Sequence, residues 1–269
     1  MAIVNVTPDS FYAASRAADV QAIEERVRRA VAEGAAIIDI GGCSTRPGAE
    51  YVPAEEEYRR VACGLRAVRR VAPETAVSVD TFRAEVAARC IDEFGPLIVN
   101  DISAGEEEPE LMRVAARRGV PYVAMHKRGT PAEMQSLTGY GDVAAEVAEY
   151  LCERVARLTE AGVRRERIIV DPGFGFAKTA EENFQLLAGL HRLRRCGCPI
   201  MVGVSRKSMI YRTLDVTPDE ALNGTTALHW EALRQGASIL RVHDVREAVQ
   251  TVNLFEAMER ANENKTELL

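Results

Sequence analysis

Short apolar runs recur along the whole chain, at 2–6, 35–40, 75–80, 96–101, 121–126, 167–171, 199–204 and 238–243. Each is too short to make a stable helix and is rich in Val and Ile, the pattern of a strand buried on both faces. Between the runs the apolar positions change period. Val20, Ile23, Val27 and Val31 fall on one helical face, as do Tyr58, Val61, Leu65 and Val68. So do Val143, Val147, Leu151, Val155 and Leu158, and finally Val245, Val249, Val252 and Phe255. Gly34, Gly119, Gly162 and Gly236 stand just past such segments, where a helix ends most easily on a left-handed residue.

Strand alternating with helix predicts parallel strands joined by right-handed crossovers. Eight units in 269 residues fit a closed α/β (β/α)8 TIM barrel, read as a single domain over 1–269. The rival, an open doubly wound sheet, lacks its Gly-x-Gly-x-x-Gly turn, because Asn5-Val-Thr-Pro-Asp-Ser10 follows the first run instead. Irregular stretches at 8–18, 41–53 and 127–140 are long enough to serve as covers of an active site.

Polar residues stand where the strands stop. They are Asn5, Asp39 with Gly41-Gly42, Asp80, Asn100-Asp101, His126, Asp171, Ser205-Arg206-Lys207, and Arg241 with His243. The carboxyl ends of barrel strands converge on one face, so the set describes a polar pocket. Singly, Asp39 or Asp101 reads equally well as a turn or cap residue. Asp80, Asn100 and Asp171 suit a flat ligand with an amide and an amino-amidine edge, because a carboxylate accepts two parallel N–H bonds. Asn5, Arg46, Lys207, Arg241 and His243 form a second, donor-rich group suited to an anionic leaving group. Arg241 and His243, two positions apart on one strand, read as an oxyanion or phosphate clamp. Asn5 offers an oxygen to a hard Mg²⁺ ion shared with a diphosphate. A carboxylate pair for glycoside hydrolysis is the weaker enzymatic alternative beside so many donors.

Composition narrows the picture without changing it. With 34 Lys and Arg against 40 Asp and Glu the net charge is −6, which excludes the broad basic footprint of a nucleic-acid binder. No apolar stretch is long enough to span a bilayer, and residues 1–6 do not read as a secretory signal. The six cysteines are sparse and scattered; reduced thiols in the cytoplasm are expected, with Cys196-x-Cys198 structural. The acidic run Glu106 to Glu108 reads as the solvated start of a helix, and Lys127-Arg128 as a solvated loop. His191 and His229 read as surface or satisfied core residues, and Trp230 as packing or subunit contact.

The chain resembles the dihydropteroate synthase family. The resemblance is carried by Asn5-Val-Thr-Pro-Asp-Ser-Phe11, Ser44-Thr-Arg-Pro-Gly-Ala49, Ser78-Val-Asp-Thr81 and Asn100-Asp-Ile-Ser103. It continues through Met125-His126, Gly129-Thr-Pro131, Asp171-Pro-Gly-Phe-Gly-Phe176, Ser205-Arg-Lys-Ser208 and Arg241-Val-His-Asp-Val245. The resemblance implies a Mg²⁺-dependent transferase joining p-aminobenzoate to 6-hydroxymethyl-7,8-dihydropterin diphosphate. The products are 7,8-dihydropteroate and pyrophosphate, by an SN1-like course in tetrahydrofolate biosynthesis, and sulfonamides are the expected competitors. It implies that Asp80, Asn100, Met125, Asp171, Phe176 and Lys207 hold the pterin. Thr45, Arg46, Pro47 and Ser205 with Lys207 would receive p-aminobenzoate. Asn5, Arg241 and His243 would bind the diphosphate, Asn5 with the metal, and Lys207, Arg241 and His243 are the catalytic candidates. A homodimer built through late helices is also implied.

This sequence departs from the family at Tyr12-Ala-Ala-Ser15, where a Ser-Asp-Gly-Gly stretch is common, and at Cys43, where a Glu is often found. It begins at the first barrel strand, so the short N-terminal hairpin is expected to be absent or trimmed. A pterin-binding homologue without catalysis is the alternative reading. A corrinoid-linked methyltransferase domain is disfavoured, because methyl transfer has no use for a p-aminobenzoate site.

Overall fold

The computed structural model describes residues 1–6, 16–43, 52–129 and 133–266. Eight strands alternate with helices along them. The first half runs β1 (Ala2–Asn5), α1 (Arg16–Ala32), β2 (Ile37–Gly41), α2 (Ala54–Val71), β3 (Ala76–Asp80), α3 (Ala84–Phe94), β4 (Ile98–Asp101) and α4 (Glu110–Arg118). The second runs β5 (Tyr122–Met125), α5 (Val143–Glu160), β6 (Ile168–Asp171), α6 (Ala180–Ala188), β7 (Met201–Val202), α7 (Ser208–Tyr211), α8 (Leu222–Gln235), β8 (Ile239–Leu240) and α9 (Val245–Thr266).

Strands β1 to β6 pair in sequence order, all parallel, and β7 pairs with β8. Single bridges close the ring, Val170 to Ile200 on one side and Ala2 to Val242 on the other. The expected barrel is therefore present. The seventh and eighth strands are shorter than the predicted 199–204 and 238–243, because each continues as extended chain that touches its outer neighbour through one bridge only.

Two apolar layers result. The larger lies between barrel and helices and includes Val4, Ile38, Ile40, Val79, Leu65, Leu151 and Leu158. The smaller, Val123, Ile169 and Met201 with Ile98 and Ile239 packed against them, forms a floor inside the barrel. Side chains alternate along a strand, so the residues two positions on face the same interior. Those residues are Met125, Asp171, Gly203, Asn100 and Arg241. A ring carrying the polar groups of Asn100, Asp171 and Arg241 thus stands directly above an apolar floor.

The four glycines expected to end helices all have positive φ, from 61° at Gly119 to 105° at Gly236. Three expectations are corrected. Cys152 on α5 and Cys196 face each other with Cα atoms 4.9 Å apart and form a disulfide, where reduced thiols were expected. Their 44-residue separation hides a contact made by packing of α5 on the short helical turn Leu190–Cys196. Glu108 does not start a helix in solvent; its carboxylate accepts the Ala84 N–H at 2.6 Å and so caps α3 from another unit. Lys127 is buried and paired with Glu107, and Arg128 pairs with Glu146 at 2.8 Å while stacking on Tyr140, so neither is a solvated loop residue.

Candidate active site

Strand register builds the first part of the site. Asn5 pairs with Gly41, Gly41 with Asp80, and Asp80 with Asn100, so the four lie in one row across β1 to β4. Met125 pairs with Asp171 in the next section of the wall. Gly41 leaves room that a side chain would fill: a Cβ there would sit 3.3 Å from Asn5 Oδ1 and 3.7 Å from the Asp80 Cβ. The Asn5 carboxamide oxygen is thereby aimed at the space beside Asp80.

The two chemical groups expected from the sequence are not separate in space. Arg241 Nε and Nη2 meet Asp39 at 2.8 and 2.6 Å, and Nη2 meets Asp80 at 2.9 Å. Asn100 Nδ2 donates to the same Asp39 carboxylate at 3.2 Å. Asp39 is wholly buried, and a carboxylate in that position is stable because a cation and a carboxamide share it. It is the functional residue that the sequence leaves undecided. Its one signal is a charged residue in an otherwise apolar strand.

Burial raises the Asp80 carboxyl to about 7, with Arg241 opposing and Asp39 adding to the rise. Asp171 is likewise raised by burial, although Lys207 and the Gly173 N–H work the other way. Burial lowers Lys207 to about 8 against the pull of Asp171. For Arg241 burial opposes the charge, but Asp39 and Asp80 outweigh it and keep the guanidinium charged.

The segment after β6 supplies an aromatic wall. Asp171 Oδ1 accepts the Gly173 N–H at 2.7 Å, which turns the chain back under the mouth. Gly173 has φ 66°, and a Cβ there would lie 1.9 Å from the His126 carbonyl oxygen, so only glycine fits. Phe174 points into the core, whereas the Phe176 ring lies 5.1 Å from the Lys207 ammonium. Lys207 also donates to the Phe174 carbonyl. In the Ser205-Arg206-Lys207 stretch the middle residue, at φ 55°, is held outward by Asp244 through two 2.8 Å contacts. That turn sends Lys207 inward.

His243 hydrogen-bonds Ser205 Oγ through its Nδ1 at 3.1 Å. Burial, then the Arg241 and Arg26 charges, lower its pKa, so it is a neutral donor or acceptor at pH 7. Burial, and then the Arg241 charge beside it, disfavour a second cation at His243. Strand β8 itself ends at Leu240, so Arg241 and His243 stand just past the strand rather than on it.

The structure brings together Asn5, Asp80, Asn100, Met125, Asp171, Phe176, Ser205, Lys207, Arg241 and His243 at the strand ends. Thr45, Arg46 and Pro47, and the departure at Tyr12-Ala-Ala-Ser15, lie outside the described residues. His126 is buried behind the mouth against Lys178 and Tyr150 rather than lining it. His229 is buried, His191 is exposed and bonded to Gln235, and Trp230 packs edge-on against Phe255.

Among the described residues no three His, Cys, Asp or Glu side chains gather as a metal cage. The oxygen of Asn5 beside Asp80 fits instead a hard cation that takes most of its ligands from a phosphate and water.

Residues 1–243 match the model of the pterin binding enzyme family. Dihydropteroate synthase of Escherichia coli strain K12 is 43% identical over 268 residues, covering 98% of this chain and 93% of that protein. Dihydropteroate synthase of Synechocystis is 44% identical over 261 residues, covering 97% and 90%. Among solved structures, Xanthomonas albilineans dihydropteroate synthase with 4-aminobenzoic acid has a TM-score of 0.86 at 40% identity, covering 96% of this chain and 92% of that one. The Yersinia pestis enzyme in complex with a sulfonamide drug has a TM-score of 0.87 at 37% identity, covering 96% and 93%.

Proposed function

The chain belongs to the pterin binding enzyme family, its activity is that of a dihydropteroate synthase, and from that premise we propose which residues do which part of the work. The reaction joins p-aminobenzoate to 6-hydroxymethyl-7,8-dihydropterin diphosphate within one barrel domain spanning 1–269. The observation that carries the assignment is the row Asp80–Asn100, together with Asp171 two positions beyond the residue of β6 that continues its register, standing over an apolar floor with Lys207 and Arg241 at its edge.

Asp171 and Asp80 accept N–H groups of the pterin edge, and the Asn100 amide is held in register by Asp39. Lys207 donates to the pterin carbonyl. Met125 and Phe176 close the two apolar faces of the ring. As the bond between the pterin methylene and the diphosphate oxygen breaks, the electron pair leaves with the diphosphate and the methylene becomes cationic. Asp80 and Asp171 favour the cationic methylene, and Arg241 is aimed at the charge gathering on the diphosphate. A fixed donor of this kind is worth roughly 3–4 kcal/mol in a water-poor site. The amine nitrogen of p-aminobenzoate then forms the new bond and releases its proton.

Arg241 meets Asp39 and Asp80 with Nε and Nη2, which leaves its Nη1 end to face an anion. His243, neutral and anchored on Ser205, donates to the diphosphate rather than neutralising it. Asn5 would hold Mg²⁺, which when bound would supply further positive charge toward the leaving group. Ser205 and Lys207 complete the p-aminobenzoate site with Thr45, Arg46 and Pro47, where a sulfonamide would compete.

The working form proposed is a cytoplasmic homodimer. What supports the dimer is the exposure of Leu254 and Met258 on α9, beside the Trp230–Phe255 pair. No helix among the described residues is long and apolar enough to cross a membrane.

Pyrophosphate release with Mg²⁺ and the pterin diphosphate, with and without p-aminobenzoate, tests the reading. Release that depends on p-aminobenzoate and yields dihydropteroate is expected. Pterin binding without turnover would instead make this chain a non-catalytic homologue and direct attention to Tyr12-Ala-Ala-Ser15.

A further inference from the structure

The geometry points to Lys178 as a positioning residue for the pterin: it touches no ligand, but it fixes the turn that presents Asp171 and Phe176. The inference rests on the pterin site as read above.

The turn from Asp171 to Lys178 is poorly supported by its own backbone. Gly173, Gly175 and Ala177 all take positive φ, at 66°, 81° and 51°, and only the first two are glycine. Its one short-range backbone bond runs from the Phe176 N–H to the Gly173 carbonyl at 3.1 Å. A chain with three left-handed residues in five positions needs outside partners to hold it.

Lys178 supplies them. Its side chain folds back beneath the turn, and its Nζ lies 3.0 Å from the Gly173 carbonyl, 3.0 Å from the Phe176 carbonyl and 3.0 Å from His126 Nδ1. Three acceptors match the three N–H bonds of an ammonium group. The residue is 4% exposed, so bulk water does not compete with these bonds in the intact protein.

The contacts join two strand ends. His126 follows β5 directly after Met125, and its own N–H donates to the Asp171 carbonyl at 2.9 Å. Gly173 lies against the His126 carbonyl too closely for any side chain. Lys178 therefore ties Met125, Asp171 and Phe176 into one rigid unit. On the other side of the turn the Lys207 ammonium donates to the Phe174 carbonyl. Asn183 at the start of α6 adds its Oδ1 to the Gly175 N–H at 2.8 Å and its Nδ2 to the Lys178 carbonyl at 3.2 Å. The turn is thus gripped from both sides, and of these three side chains Lys178 is the one that reaches both the turn and the end of β5.

Loss of Lys178 should displace the carboxylate and the ring together, and a displacement of about 1 Å at a reacting site can cost about a hundredfold. The effect should fall chiefly on the pterin, because Thr45, Arg46, Pro47 and Ser205, the other residues proposed for p-aminobenzoate, lie outside the turn. That split separates positioning from a general loss of fold, because a smaller folded fraction lowers turnover without changing either KM.

The test compares wild type, Lys178→Met and Lys178→Ala by calorimetric binding of the pterin diphosphate and by steady-state kinetics. Lys178→Gln serves where the Met variant does not accumulate as folded protein. The expected result is a pterin Kd and KM raised at least about tenfold, a p-aminobenzoate KM within about twofold of wild type, and partial recovery of Lys178→Ala by added ethylammonium. Wild-type pterin affinity in the variants, or equal rises in both KM values, overturns the inference. A wild-type chain that does not bind the pterin at all overturns the reading of the site, and this inference with it.

Discussion

The guanidinium of Arg241 lies 2.6 Å from the carboxylate of Asp39, a residue 202 positions earlier in the chain, and each offsets the cost of burying the other's charge. The pair crosses the seam where the barrel closes, between its first strands and its last. Asp39 also holds the Asn100 amide, so one buried carboxylate orients a group proposed for the diphosphate and another proposed for the pterin.

Asp39→Asn should therefore damage both activity and stability. Arg241 would keep Asp80 but lose its fully buried partner, and a destabilisation of about 2 kcal/mol is expected, less than for an ion pair with no second partner. Turnover per KM should fall about 10- to 100-fold through misplacement of Arg241 and Asn100. Urea unfolding and pyrophosphate release measure the two effects. A variant that is less stable but fully active would separate Asp39 from the site.

Asp171→Asn and Arg241→Ala should fail in different ways. The first turns an acceptor into a donor facing ring N–H groups and should weaken binding of any pterin by about a hundredfold or more. The second should weaken the pterin diphosphate while leaving a pterin without diphosphate nearly unaffected. Calorimetry with both ligands checks the contrast; equal losses for the two ligands at Arg241→Ala would count against the clamp.

Pterin affinity should depend on pH near neutrality. Burial holds the Asp80 carboxyl at about 7, so below that value the free protein carries a proton where the pterin needs an acceptor. The sign follows: Kd rises as pH falls, by up to about tenfold per unit below 7. Asp80→Asn should bind weakly at every pH and lose the slope. A flat wild-type profile between about pH 5.5 and 7 would show that Asp80 is charged throughout.

Acid should destabilise the fold through His229. Its side chain is buried in α8, its Nε2 has no hydrogen-bond partner among the described residues, and burial lowers its pKa to about 4. A depressed folded-state value means the stabilisation is complete above about 6.5, the unfolded value, and is lost as pH falls toward 4. The loss should reach about 3 kcal/mol. Thermal melts at about pH 7.5 and 4.5 should show a smaller drop for His229→Gln than for wild type, although the variant starts lower.

Periodicity in the sequence locates all eight strands, and the first six end within two residues of the predicted positions. Local pattern suffices there because strand length and alternation are set by neighbours along the chain. Asp80, Asn100 and Asp171 are legible as site residues for the same reason: packing alone rarely puts a polar residue at the end of a buried apolar run. The Asp39–Arg241 pair is not legible, because it depends on closure of the ring. Glu108 misleads for a related reason, since a carboxylate that caps another unit's helix looks in sequence like any exposed acid. The position of His243 can be read from the sequence but its charge cannot, because the charge depends on burial and then on Arg241 and Arg26 standing nearby. Lys178 follows the conspicuous Gly-Phe-Gly-Phe stretch, and nothing in its spacing shows that its side chain turns back.

The floor inside the barrel and the ring of ligand groups above it are carried two residues apart on the same stretches of chain: Ile98 with Asn100, Val123 with Met125 and Ile169 with Asp171 on their strands, and Ile239 on β8 with Arg241 just past its end. Floor and ring are locked in phase. Deleting or inserting one residue within any of these strands would send its ligand group outward among the helices and bring a packing residue inward. Such a site can change its chemistry by substitution, strand by strand, but tolerates changes of length only in the connections between strands. The wall is under a reading frame of its own, in the polypeptide rather than the gene.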